Sequence, residues 1–177
     1  MATLTMAETD IILAAAKAKV LEMGARMSVS VVDPRGDLLG MFRTDGASWR
    51  TPAISRAKAL SSACFERPSG DLTENAMAPV FRGLMAMEGG HMIPGQGALP
   101  VFKNGEIVGA VGGSGGTAQQ DEDASKGVQA KRGRKDHAVR AHELGQHPQR
   151  QNHDCKVKHS LIDHCGVATC DHSCYRV

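Results

Sequence analysis

ALPVFKNGEIVGAVG, residues 98–112, decides the fold. Two runs rich in Val, Ile and Phe flank Asn104-Gly105. Asn-Gly between apolar runs is the strongest short-range hairpin signal, because the two central residues of that turn both need a positive φ. The stretch predicts antiparallel strands over 98–103 and 106–112. A second hairpin is predicted upstream. In MSVSVVD, 27–33, Met27, Val29 and Val31 alternate with Ser, the period of a strand with one buried face. Pro34-Arg35-Gly36-Asp37 is a turn, and LLGMFR, 38–43, is the returning strand. Hairpins join antiparallel neighbours, whereas a Rossmann sheet needs parallel crossovers. The expected class is α+β, an antiparallel sheet of two hairpins, with two or three strands in the second group, dressed with helices.

The flanking segments supply the helices. Residues 6–23 are rich in Ala, Leu, Lys, Glu and Met, all strong helix formers. Ile11, Ala14, Ala15, Ala18 and Leu21, with Ile12 at the flank, form the expected buried stripe, and Gly24 stops the helix. Residues 49–65 read as a second helix with Ile54, Ala57, Lys58, Ser61 and Phe65 at helical spacing, broken by Pro68-Ser69-Gly70. Residues 71–87 read as a third, with an interruption at Pro79. Gly89–Gly97 is a glycine-rich crossing. Gly112–Thr117 leads into a last helix from near Ala118, where Asp121, Glu122 and Asp123 suit the positive end of the helix dipole.

Composition bounds the rest. A chain of 177 residues with 41% hydrophobic and 3% aromatic residues holds one domain, whose core is built from Ala, Val, Leu, Ile and Met. Residues 131–177 carry nine Lys and Arg against five Asp and Glu, net +4, and residues 1–130 carry the balance, net −2. Seven of the eight His and four of the five Cys also follow residue 130. The boundary is therefore placed there, with 1–130 as the domain and 131–177 as a basic His/Cys-rich tail. The start, MATLTMAETD, does not read as a secretory signal, and no apolar run approaches the roughly 20 residues of a bilayer span. A cytoplasmic protein with no membrane partner is expected.

Four stretches in order carry a family likeness: VSVVDPRGDLLGMFRTDGA (29–47), ISRAKALSSACF (54–65), PGQGALPV (94–101) and NGEIVGAVGGSGGTAQQDEDASKGVQA (104–130). Together they resemble the GlcG/HbpS-like, or heme-degrading-domain, family over most of residues 6–130. The resemblance implies a profilin-like α+β fold with an antiparallel five-stranded sheet flanked by helices, symmetric homo-oligomers and, for some relatives, heme binding. Gln96 and Ala98 depart from the family's usual Pro-Gly-Gly-x-Pro loop, and Gly113 stands where Val is common.

Candidate residues follow from chemistry. His91, the sole imidazole of the domain, is the candidate axial ligand for heme iron, with Met92 beside it as a second. Lys58, Arg56 and Arg43 are candidate cations for propionates or other carboxylates. Gly113, Ser114 and Gly115 sit in a Gly112–Thr117 turn that resembles an anion cradle at a helix start. The turn is neither a Walker A motif nor a dinucleotide fingerprint. The alternative use of each is structural: a solvated face, a subunit contact or a tight turn. Ser114 lacks an implied base and acid, and three consecutive carboxylates point in different directions, so a hydrolase and a hard-cation site are both disfavoured. Cys64 reads as a buried small hydrophobe.

The tail offers Cys155, His159, His164, Cys165, Cys170, His172 and Cys174, all zinc-ligand types, at spacings that fit no standard finger. A disordered basic extension, an adventitious metal binder and a stretch translated out of the ancestral frame remain open for it. Its dispersed charge and lone Tyr175 weigh against nucleic acid. The reading that results is a homo-oligomeric protein that binds heme or a related tetrapyrrole, more a binder than an enzyme. The alternative is an accessory protein or small enzyme of a catabolic pathway acting on a carboxylate-bearing small molecule, with Lys58 or Asp45 as acid–base groups.

Overall fold

The computed structural model describes residues 2–126 of the 177. Helix α1 spans Met6–Glu22, strand β1 Ser28–Val32, strand β2 Leu38–Arg43 and helix α2 Thr51–Phe65. A 3-10 turn over Ser69–Asn75 and helix α3, Pro79–Met87, follow. Strand β3, Ala98–Lys103, strand β4, Glu106–Ser114, and helix α4, Ala118–Lys126, close the domain. The strands form one sheet in the order β2-β1-β4-β3, with every neighbouring pair antiparallel. Both expected hairpins are present, and Asn104 and Gly105 take φ of 54° and 82°, as their turn requires. Among the described residues the sheet has four strands, so the five-stranded expectation is corrected.

Three layers result. The sheet packs α1 and α4 on one face and α2 on the other, with the 3-10 turn and α3 outside α2. β1 is buried along its whole length, not on one face as the Ser/Val alternation suggested. Val29 and Val31 join the α1 and α4 core with Ile12, Ala16, Val20, Val111 and Ala124. The serines face the other way and are satisfied by hydroxyls of α2: Ser28 Oγ meets Thr51 Oγ1 at 2.8 Å, and Ser30 Oγ meets Ser55 Oγ at 2.7 Å. A buried hydroxyl is tolerable when it is hydrogen-bonded, so the polar half of β1 is a docking face for a polar helix stripe.

The closeness of that docking is set by β4. A Cβ on Gly112 would collide with the Ser55 carbonyl oxygen and lie 2.9 Å from the Ala59 amide nitrogen, both on α2. A Cβ on the next residue, Gly113, would collide with the Asp121 carbonyl oxygen and lie 3.1 Å from its carbon, on α4. Successive strand residues face opposite sides of a sheet. Two adjacent glycines therefore let two helix backbones touch one strand from both faces.

Three other details differ from expectation. The buried stripe of α1 is Thr9, Ile12, Ala16 and Val20, while Ile11 and Leu21 are 60% and 64% exposed. An Ala-rich helix offers several apolar stripes, and the one carrying the β-branched Ile12 and Val20 fits the valine face of the sheet. A capping box starts this helix, with Glu8 N–H donating to Thr5 Oγ1 and Thr5 N–H to Glu8 Oε2. Pro79 begins α3 rather than interrupting a longer helix, since the first helical turn needs no amide donor from it. Cys64 lies on the outward side of α2 and is exposed, not buried.

Gly112→Ala is expected to destabilise the domain by about 3 kcal/mol, roughly 10 °C in Tm, because the added methyl forces α2 off the sheet. Thermal unfolding followed by circular dichroism checks this, with Gly105→Ala, whose added Cβ meets open space, as the control for turn strain alone.

Candidate functional site

Two layers of helix cover the sheet incompletely. On the α1 side, Gly40 of β2 lies under α1, where its added Cβ would come 2.9 Å from Leu13 and 3.1 Å from Thr9, and Phe42 packs against the same core. On the α2 side, β2 is covered only in part. Arg43 pairs with Ser28 and Met41 with Ser30, and those serines face α2, so Arg43 and Met41 point to the α2 side as well. A bulge between Val31 and Val32 sets Leu38 opposite Val32, which packs with Ala59 and Ala63 of α2. Leu38 and Met41 are nevertheless 41% and 37% exposed. This open strip, with α2 along one side, is a trough with an apolar floor.

The wall of the trough is the α2 stripe that faces β2. Leu60 packs on Gly36 in the β1–β2 turn, and Arg56, one helical turn earlier, shares that stripe and is exposed. The loop from Thr44 to Arg50 joins β2 to α2. It carries Trp49, 74% exposed, with the Arg50 guanidinium 5.1 Å from its ring centroid. Arg43 and Arg56 have no side-chain hydrogen bond or ion pair among the described residues. The trough therefore combines exposed apolar side chains with unpaired cations.

The other sequence candidates separate. Lys58 is committed elsewhere. Its Nζ donates to Asp121 Oδ2 at 2.8 Å, and the two side chains are 11% and 6% exposed. The pair ties α2 to α4 across the end of the sheet, past Gly97, where any Cβ would lie 2.8 Å from Asp121 Cβ and 2.9 Å from Lys58 Nζ. The assignment of Lys58 to ligand carboxylates is corrected accordingly, because its charge already answers a buried one. Met92 is likewise a core residue, 5% exposed and packed with Leu60, Leu72 and Phe81. A thioether so enclosed fills space and does not face a metal. His91 is exposed in the loop that crosses the outer side of α2, where the Ile93 amide donates to the Ala57 carbonyl at 3.3 Å. Its imidazole has no hydrogen bond or ion pair among the described residues.

The glycine turn is already filled. Gly113 is a strand residue whose N–H donates to the Gly97 carbonyl at 2.8 Å. The Gly116 amide donates to Asp121 Oδ1 and the Thr117 amide to Gln120 Oε1, each at 2.9 Å. The anion in this cradle is the carboxylate of Asp121. Gly115, with φ of 131°, presses against the Arg26 carbonyl and Met27. Ser114 lies in one row with Ser28 and Arg43 on the α2 side, with no acid or base bonded to it among the described residues.

The remaining acids of α4 are also engaged. Lys126 Nζ contacts Glu122 Oε1 at 2.6 Å and Asp123 Oδ1 at 3.4 Å. A hydrogen bond from Gln119, then Lys126, holds the Asp123 carboxyl below its ordinary pKa. Among the described residues no group of three His, Cys, Asp or Glu is placed to hold a metal ion. The Cys64 thiol is raised above its ordinary pKa by partial desolvation and then by the Glu88 charge, so it is not an activated nucleophile. The tail's Cys and His residues lie outside the described residues. The trough itself escaped sequence reading. Its one signal was LLGMFR, where apolar residues occupy both parities of a strand and so cannot all face one core.

Comparison with known proteins follows the same outline. The family described as haem degrading protein HbpS-like matches residues 4–129. A 15.0 kDa protein of the dhaT-dhaS intergenic region of Citrobacter freundii is 37% identical over 122 residues, 68% of this chain and 85% of that protein. The crystal structure of Klebsiella pneumoniae protein ORFY is 30% identical with a TM-score of 0.68, covering 73% of this chain and 90% of that one. A PduOC–heme complex, at 21% identity and a TM-score of 0.66, covers 72% and 94%. A double mutant of Streptomyces reticuli HbpS, at 23% identity and a TM-score of 0.66, covers 75% and 89%. The last two show a shared fold.

Removing one member of the buried pair should be costly. Lys58→Met is expected to destabilise the domain by about 3 kcal/mol by leaving Asp121 uncompensated. The double variant Lys58→Met with Asp121→Leu should recover part of that loss in urea titrations. It should not recover all, because the Gly116 amide also loses its acceptor.

Proposed function

The chain belongs to the HbpS-like haem degrading protein family, and from that premise we propose that it is a homo-oligomeric binder of heme or a related tetrapyrrole. The observation that carries the reading is the half-open α2 side of β2, where Leu38 and Met41 are partly exposed beside the unpaired cations Arg56 and Arg43. A tetrapyrrole is a flat apolar plate with carboxylates on one rim. Its plate needs apolar area that the protein's own core does not consume, and its rim needs guanidinium groups, which pair with both carboxylate oxygens at once. The trough supplies both kinds of group on one surface.

His91 is the residue of this domain able to ligate iron through a neutral imidazole nitrogen. It sits at the outer side of α2, and Leu60 belongs both to the trough wall and to the cluster that holds Met92 next to it. A bound heme would supply iron for axial ligation. The chain's part is to hold the plate, neutralise its carboxylates and offer the nitrogen. The PduOC relative crystallised with heme supports the same choice of ligand.

A second reading uses the same cations. An accessory protein or small enzyme acting on a carboxylate-bearing small molecule would place its substrate at Arg56 and Arg43. Asp45, exposed in the adjoining loop and unpaired among the described residues, would be its acid–base group. Lys58 is withdrawn from that role by its ion pair.

Titration of the purified protein with hemin tests the proposal. A Soret shift that saturates at stoichiometric hemin is expected. His91→Ala should abolish the shift, and Arg56→Ala should raise Kd roughly tenfold, the loss of one charge-assisted hydrogen bond of about 1.5 kcal/mol. No spectral change at stoichiometric hemin contradicts the reading, and turnover of a carboxylate substrate that Asp45→Asn abolishes favours the second.

A further inference from the structure

We propose that the loop from Thr44 to Arg50 is a second binding site, with a ligand of its own: a phosphorylated small molecule that carries one flat ring, of the class of a nucleoside diphosphate. The ring stacks on Trp49, and the phosphates meet Arg26 and Arg50. The inference does not depend on the tetrapyrrole reading.

Rigidity makes the first argument. The loop is two successive turns, tied to the core at both ends. The Thr44 amide donates to the Met27 carbonyl at 3.0 Å, and Thr44 Oγ1 accepts the Met27 amide at 2.9 Å. The Ala47 amide closes the first turn on the Thr44 carbonyl at 3.1 Å, and Ala47 is buried. The Thr51 amide and hydroxyl close the second on the Ser48 carbonyl, at 3.1 and 2.8 Å, and Thr51 Oγ1 also meets Ser28 Oγ. Trp49 stands on this fixed frame with 74% of its surface exposed. An indole so exposed adds little to the core. On a backbone already held in place, it loses little entropy when a ring stacks on it.

Charge makes the second argument. The Arg50 guanidinium lies over one face of the indole, 5.1 Å from its centroid, and leaves the opposite face open. Stacking uses the flat face of a guanidinium and leaves its N–H edges free to donate. Arg26 arrives from the connection between α1 and β1 and lies across the first turn. A Cβ on Gly46 would come 3.3 Å from its Cδ and 3.5 Å from its Nε and Nη1. Neither guanidinium has a hydrogen bond or ion pair among the described residues. Arg43 leads into the loop and adds a third positive charge. One acid, Asp45, stands against the three, and residues 46–65 contain none. Residues 1–130 carry twelve Lys and Arg against fourteen Asp and Glu, so unanswered positive charge at one loop is a local exception.

These features select the ligand. One carboxylate is answered by one guanidinium, whereas two that flank a loop suit a group with several anionic oxygens. One plate suits one ring. Single-stranded nucleic acid uses a row of stacking aromatics along a basic groove. The four Phe residues of the domain are all buried or half-buried, which leaves Trp49 alone as a stacking platform among the described residues.

Trp49 is the sole tryptophan of the chain, so the fluorescence of the full-length protein reports this site. Titration with ADP should quench it to saturation. In isothermal titration calorimetry, Arg26→Ala and Arg50→Ala should each raise the Kd for ADP about tenfold, the loss of one charge-assisted hydrogen bond. Trp49→Leu should weaken ADP by about tenfold as well, the loss of one stacked ring. It should leave the weaker affinity for inorganic pyrophosphate unchanged, a split that a merely structural role for the indole would not produce. Circular dichroism melts report that each variant still folds. Absence of saturable quenching at millimolar ADP overturns the proposal. So does pyrophosphate that binds as tightly as ADP, or an ADP affinity that survives the double variant Arg26→Ala with Arg50→Ala.

Discussion

Two side chains that are absent, at Gly112 and Gly113, are the constraint on which the rest of this structure depends. With no Cβ on either face, β4 accepts the backbone of α2 from one side and of α4 from the other. Close approach of α2 brings its hydroxyls within reach of Ser28 and Ser30, so that face of the sheet is held by short polar contacts rather than by large apolar side chains. Bulky residues are then needed only on the α1 side, where Val29, Val31 and Val111 pack. Because α2 seats tightly over β1 and β4, it covers β2 only in part. The half-open strip of β2 is thus a consequence of how closely the other strands are covered.

The same closeness explains the ion pair of Lys58 and Asp121. Two helices pressed onto opposite faces of one strand can be joined only around its end, and the side chains meet there beside Gly97. Asp121 also accepts the Gly116 amide, so one carboxylate fixes the start of α4 and the middle of α2 together. Two charges with 11% and 6% exposure stabilise little in themselves. What they supply is registry, since neither can shift without stranding the other.

Local chemistry was legible in the sequence and long-range chemistry was not. Asn104-Gly105 names its turn, and both hairpins follow from residues within a few positions of each other. α+β class and antiparallel pairing come with them. The Ser/Val alternation of β1 reads as one buried face, because nothing near it reveals that Thr51 and Ser55 arrive to satisfy the serines. The glycine turn looked like an anion cradle because a glycine run does not say who fills it; here the answer is Asp121, a few residues on. Lys58 and its partner are 63 residues apart, which no local pattern connects. Of the site, Arg43 and Arg56 were visible as cations, but their sharing of a trough depends on the register of β2 against β1. The partly uncovered state of β2 depends in turn on where α2 stops.

The central claim is that the α2 side of β2 is the ligand surface. It is tested most directly by recording methyl NMR spectra of the protein with and without hemin, whose paramagnetic iron broadens nearby methyl signals. The account predicts loss of the Met41 and Leu38 methyl signals, while Met6 and Leu21, exposed on α1 on the opposite side of the sheet, persist. Broadening centred on Met6 and Leu21, with Met41 and Leu38 unchanged, would contradict it.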